Sequence, residues 1–157
     1  MPTEYSVPIS GLTEPFLITA ADPCGVSTTL YSVVATANTT SDAPVIANVT
    51  PLTTAVSALL TQSGNPGDLA SNPSGITRSA IATAETTLDK AMAPILSAGS
   101  MPASFDPIGT TFTPNQTGAD AVIDSVAVPP SSTGSGYQSR SMYVPSAGVA
   151  SALNRYA

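Results

Sequence analysis

The sequence predicts an α+β fold, a small antiparallel β layer followed by a helical hairpin region, and three observations carry that prediction. Short runs rich in β-branched and aromatic residues lie between Thr3 and Thr36. Two stretches with apolar residues at helical spacing follow, and the second closes at Gly99. No run approaches the roughly 18 consecutive apolar residues that mark a membrane-spanning helix. At 157 residues the chain is the size of one domain able to bury a real core. The pattern divides it into a β layer over residues 3–47, a helical region over 48–128 and a linker-like, mobile tail over 129–157.

Three strands are expected in the β layer. Tyr5, Val7 and Ile9 alternate with Ser6, Pro8 and Ser10, and Pro8 assigns that strand to a sheet edge because proline has no N–H to give to the ladder. Phe16 to Thr19 is a short apolar run, and Leu30 to Ala37 is rich in β-branched residues. Such a layer leaves an open sheet edge. Self-association through that edge, or pairing with a protein partner, is the expected consequence, with Met142 to Val144 in the tail as a segment able to reach it.

The strongest local signature is NVTPLTTAVSALLTQ, Asn48 to Gln62. Thr50 is an N-cap and Pro51 stands at the first helical position, where its missing N–H costs nothing. Leu52, Ala55, Val56, Leu59 and Leu60 share one stripe, so that face is predicted to be buried and the helix to stop near Ser63. Thr53, Thr54, Ser57, Ala58 and Thr61 form the other face, small and uncharged. A second helix is predicted from about Thr77, with Ile81, Ala84, Leu88, Ala91, Met92 and Ile95 inward and Arg78, Glu85, Asp89 and Lys90 mainly off the stripe. Pro94 tightens its last turns before Gly99. The two helices are expected to pack antiparallel through the Gly64 to Gly75 connection. Thr117 and Asp120 form a T-x-x-D pattern that predicts a short helix over Gly118 to Asp124.

Composition excludes several functions. Charged residues are only 9% of the chain and the net charge is −6, with no basic cluster, which argues against nucleic-acid binding. Histidine is absent, removing the commonest general base and metal ligand at neutral pH. Serine is abundant, but no G-x-S-x-G, S-x-x-K or glycine-rich phosphate motif accompanies it. Cys24 is the single cysteine, so no disulfide forms within the chain, and it reads as a buried thiol. Sequons at Asn38, Asn48 and Asn115 read as coincidences of a threonine-rich chain.

The segments YSVPISGLTEPFLITA (Tyr5 to Ala20), LYSVVA (Leu30 to Ala35), NVTPLTTAVSALL (Asn48 to Leu60) and FDPIGTTFTPNQTGADAVIDSVAV (Phe105 to Val128) together carry a resemblance. In this order they resemble a group of poorly characterised exported bacterial proteins, often lipoproteins. The resemblance implies that the β layer is the last part of a carboxypeptidase-regulatory-like, transthyretin-like or immunoglobulin-like sandwich, followed by an N-x-T-P-L-T helical region. It implies no catalytic residue. It also implies an extracytoplasmic location, on which reading the earlier strands and the export signal lie outside this chain.

Asp106, Asp120 and Asp124 form the best polar cluster in the sequence, with Asn115 nearby. Asp120 and Asp124 are four apart on one helix face, a spacing two ligands of a hard cation such as Ca²⁺ can use. Capping accounts for Asp120 and a turn before Pro107 accounts for Asp106, so no metal, cofactor or catalytic residue is assigned. The expected function is a non-enzymatic structural or binding module of an exported envelope protein. The alternative is a carboxylate-dependent hydrolase or carbohydrate-active domain working through those three aspartates.

Overall fold

The structure, a computed structural model, describes residues 4–24, 29–37 and 44–126. Phe16–Ala20 (β1) and Leu30–Val34 (β2) pair antiparallel, with Phe16 opposite Val34 and Ala20 opposite Leu30. Pro51–Leu59 (α1), Arg78–Ala98 (α2) and Gly118–Asp124 (α3) follow, and two single-turn 3₁₀ segments, Pro66–Ala70 and Pro73–Gly75, lie between α1 and α2. The architecture is α+β. Among the described residues no helix is long and apolar enough to cross a membrane.

The first expected strand does not join the sheet. Tyr5 and Val7 are exposed, and the Tyr5 hydroxyl donates to the Ala47 carbonyl. Pro8 removes a ladder donor from the middle of that segment, and Gly11 turns the chain at φ +82°. A different group occupies the edge of β2. Tyr31 N–H donates to Thr54 Oγ1 at 2.9 Å, and the Tyr31 carbonyl accepts from Thr53 Oγ1 at 2.8 Å. Both Tyr31 backbone groups therefore point away from β1, as in a non-hydrogen-bonded pair with Thr19. The edge that a further strand would take is filled by α1.

This docking explains why α1 is buried on nearly every side. Leu52 through Ala58 are all buried, so the threonine face is as enclosed as the leucine stripe. Each hydroxyl has a partner: Thr53 and Thr54 also donate to the Thr50 carbonyl, and Ser57 Oγ donates to the Thr53 carbonyl at 2.8 Å. The start of α1 is a capping box made entirely of threonine. Thr50 Oγ1 accepts from Thr53 N–H while Thr53 Oγ1 accepts from Thr50 N–H. The helix ends at Leu59, earlier than its apolar stripe suggested, because Leu60 and Thr61 N–H bond the Ser57 and Ala58 carbonyls in a tightened last turn.

The core is one cluster, formed by Val33 of β2, Leu52 and Val56 of α1, Leu88, Met92, Ile95 and Leu96 of α2, Phe105 and Ile108 of the next loop, and Val122 and Ile123 of α3. The start of α2 is as expected, with Thr77 Oγ1 accepting from Ala80 N–H. Pro94 lies inside α2, and Gly99 is its C-cap, with the left-handed conformation falling instead on Ser100 at φ +54°. The α3 cap differs from expectation. Thr117 makes no side-chain cap, and its hydroxyl donates to Asn115 Oδ1. Cys24 is exposed, not buried, because its N–H donates to Asp22 Oδ1 in a turn around Pro23 that faces solvent. The expected tail, including Met142 to Val144, lies outside the described residues, as does the sequon at Asn38.

Two substitutions separate the forces that hold α1. Thr54→Val is expected to lower stability by about 1–3 kcal/mol, since it leaves the Tyr31 N–H buried without an acceptor. Leu52→Ala, at a fully buried position, is expected to cost about 2–5 kcal/mol, and Leu59→Ala less, because Leu59 is only half-buried. Denaturant melts of the three variants check this order.

Candidate functional site

An open groove of about 310 Å³ lies between the end of β2, the Val45–Ile46 approach to α1, the first half of α2 and the turn after Phe105. Its walls are mostly apolar: Val33, Val45, Ile46, Ile81 and Ile108 line it. Arg78, Glu85 and Asp106 supply its charge. Arg78 Nε and Nη2 both donate to Thr36 Oγ1, the first at 2.7 Å, which turns the guanidinium toward the β2 end of the groove.

Asn48 ties down the loop that gives the groove Ile108 and Gly109. Its N–H donates to the Ile108 carbonyl at 2.9 Å, and its side-chain amide donates to the Pro107 and Thr110 carbonyls at 3.1 and 2.7 Å. One asparagine thus holds three carbonyls of a single loop. The sequence gives it only the appearance of a sequon, and the sole hint of this role is its place two residues before a helix cap. Asp106 closes the same loop from within, where Oδ1 accepts from Ile108 and Gly109 N–H at 2.8 and 2.9 Å. A Cβ at Gly109 would lie 2.7 Å from Asp106 Oδ2, so a side chain there would have to displace that carboxylate.

The three aspartates singled out by the sequence do not form one site. Asp106 faces Glu85 and Asp89 of α2. Asp120 and Asp124 lie together on α3, where Asp120 Oδ2 accepts from Gln116 N–H at 2.7 Å and thereby holds a residue with φ +60°. Burial, with the Asp120 charge second, pushes the Asp124 carboxyl up from its usual range. Among the described residues no group of three or more acidic or thiol side chains is arranged to hold a metal ion.

Glu85 and Asp89 are what sequence reasoning missed. They lie one helical turn apart on the side of the 105–109 turn: the Asp89 carboxylate accepts the Phe105 N–H at 3.2 Å, and Glu85 lines the groove together with Asp106. Partial burial, and after it the nearby Asp106 and Asp89 carboxylates, push the Glu85 carboxyl up from 4.5 to about 7. Burial also raises Asp89, against the Phe105 N–H, which lowers it. The signal was the i, i+4 spacing of two carboxylates on one helix; which face they would meet depended on a loop sixteen residues further on.

Against this geometry, comparison with protein-family models, with curated proteins and with solved structures finds no match.

The carboxyl group of Glu85 gives the chain a pH dependence with a definite sign. Its folded value lies above its unfolded one, so the folded state holds the extra proton and stability is lost as pH rises from about 4.5 through about 7. The melting temperature is expected to fall across that window, and Glu85→Gln is expected to flatten the fall. Scanning calorimetry across the same range measures both.

Proposed function

We propose that the chain is a non-enzymatic structural or binding module of an exported bacterial envelope protein. The observation that carries this reading is how the polar side chains are spent. Asp106 and Asp120 bond backbone groups of their own loops, Asn48 bonds the backbone of the 107–110 loop, and Thr53 and Thr54 bond the backbone of β2, so these polar groups serve the scaffold. The groove they frame has apolar walls suited to contact with another protein surface. The acidic, hydroxyl-rich composition and the order of the family-like segments add the extracytoplasmic location. On this reading β1 and β2 are the last strands of an immunoglobulin-like or transthyretin-like sandwich, and α1 and α2 are an antiparallel hairpin beneath it. The edge of β1 is where a protein partner or a second copy adds.

Two measurements test it. Fractionation of cells expressing the full-length gene product is expected to place it outside the cytoplasm, and a purely cytosolic product overturns the location. Light scattering on residues 1–157 is expected to show self-association. A stable monomer removes the edge argument.

A second reading, a carboxylate-dependent hydrolase or carbohydrate-active domain, draws on the Glu85–Asp106 pair, one member of which holds a proton near neutral pH as a general acid must. It ranks below the first because Asp106 Oδ1 is already committed to the Ile108 and Gly109 N–H groups of its own turn. Hydrolysis of a polysaccharide or ester substrate that is abolished by Glu85→Gln would reverse the order.

A further inference from the structure

The acidic residues of the chain all lie before residue 127, where Arg78 and Lys90 are the basic residues that accompany them. Residues 1–126 therefore carry a formal charge of −8, while residues 127–157, with Arg140 and Arg155 and no acid, carry +2. The two parts of the chain attract each other.

The groove is where that attraction meets exposed apolar surface. Val45 and Ile46 line it while each stays 46% exposed, and Ile81 and Ile108 line it with them. Glu85 and Asp106 bring two carboxyl groups to the same lining, and of Asp106 only Oδ1 is spent on its own turn. Among the described residues that line the groove Arg78 is the one cation, but its guanidinium is held by Thr36, and it stands seven residues before Glu85, about 10 Å along the axis of α2. The carboxylate end is left to a cation from elsewhere.

The sequence after residue 126 holds a matching pattern. Arg140, Met142 and Val144 alternate with Ser141 and Tyr143, and in an extended chain alternate side chains point the same way, so these three would share one face about 13 Å long. That is the scale of the groove between Glu85 and Arg78. Reach is sufficient, since residues 126 to 140 can span up to about 45 Å, more than the roughly 35 Å across a compact body of this size.

We propose that the segment Arg140 to Val144 docks in this groove of its own chain, with Arg140 on the Glu85 and Asp106 carboxylates and Met142 and Val144 against Val45, Ile46 and Ile81. Attachment to the same chain gives the segment an effective concentration of roughly millimolar order, so a contact too small to hold two separate molecules together is populated. A partner for the groove then has to displace the segment. The docking depends neither on the envelope location nor on the edge of β1.

NMR of the full chain, read at the Val45, Ile46, Ile81 and Ile108 signals, tests it. Met142→Ser combined with Val144→Ser, and separately Arg140→Glu, are each expected to shift these signals while those of Val56 and Leu96 in the core stay in place. A synthetic peptide of residues 138–146, added to the double variant at about millimolar concentration, is expected to return them toward their wild-type positions. Arg155→Glu changes the charge by the same amount as Arg140→Glu and is expected to leave the groove signals unmoved. Groove signals that are identical in wild type and in both variants overturn the proposal, as does a peptide without effect. An equal response to Arg155→Glu overturns it in favour of a diffuse attraction, and wild-type signals that move toward the variant positions on dilution overturn it in favour of a segment from a second copy.

Discussion

The contact on which the rest of this structure depends is between the peptide groups of Tyr31 and the hydroxyls of Thr53 and Thr54. A two-stranded sheet is at best marginal in water, and a nine-residue helix rich in β-branched threonine has little intrinsic stability. Each is completed by the other. The hydroxyls give the free edge of β2 the hydrogen bonds a third strand would have given, while the leucine stripe of the same helix faces α2 and the core. Because α1 serves both surfaces, β2, α1 and α2 share one cluster and the molecule needs no second sheet among its described residues.

From that centre the packing extends outward through Asn48. It stands just before the Thr50 cap, so the residue that ties down the 107–110 loop is positioned by the same helix start that docks on the strand. The loop in turn brings Asp106 against Glu85 and Asp89. A carboxylate cluster on the far side of the core is thus placed by a threonine cap at its centre. The groove is the space left between these two consequences of one helix.

Much of this was legible in the sequence, and the part that was not has a physical reason. The start of α1 could be read from Thr50 and Pro51 and that of α2 from Thr77, because caps are local and depend on residues a few positions apart; the bounds of α3 were read as well, although Thr117 makes no side-chain cap. The end of α1 was misplaced since the stripe continues through Leu60 while the hydrogen bonds already tighten. The first strand was misjudged because alternation in Tyr5, Val7 and Ile9 shows a pattern without showing a partner. Thr53 and Thr54 looked like a solvent face; the absence of any charge between Pro51 and Gln62 was the hint that water does not reach it. Of the candidate site, Asp106 was found, but its true neighbours Glu85 and Asp89 were not, as a contact across sixteen or more residues is set by how a loop folds back.

The bond between Tyr31 and α1 is also asymmetric with respect to sequence change. On one side the partners are side chains, which substitution can alter; on the other they are an N–H and a carbonyl, which no substitution except proline removes. A compensating change on the strand is therefore unavailable, and drift at this interface is confined to one direction: positions 53 and 54 of the helix can exchange threonine for serine, but they cannot become aliphatic without stranding a peptide group. The strand dictates the chemistry of the helix through its backbone alone.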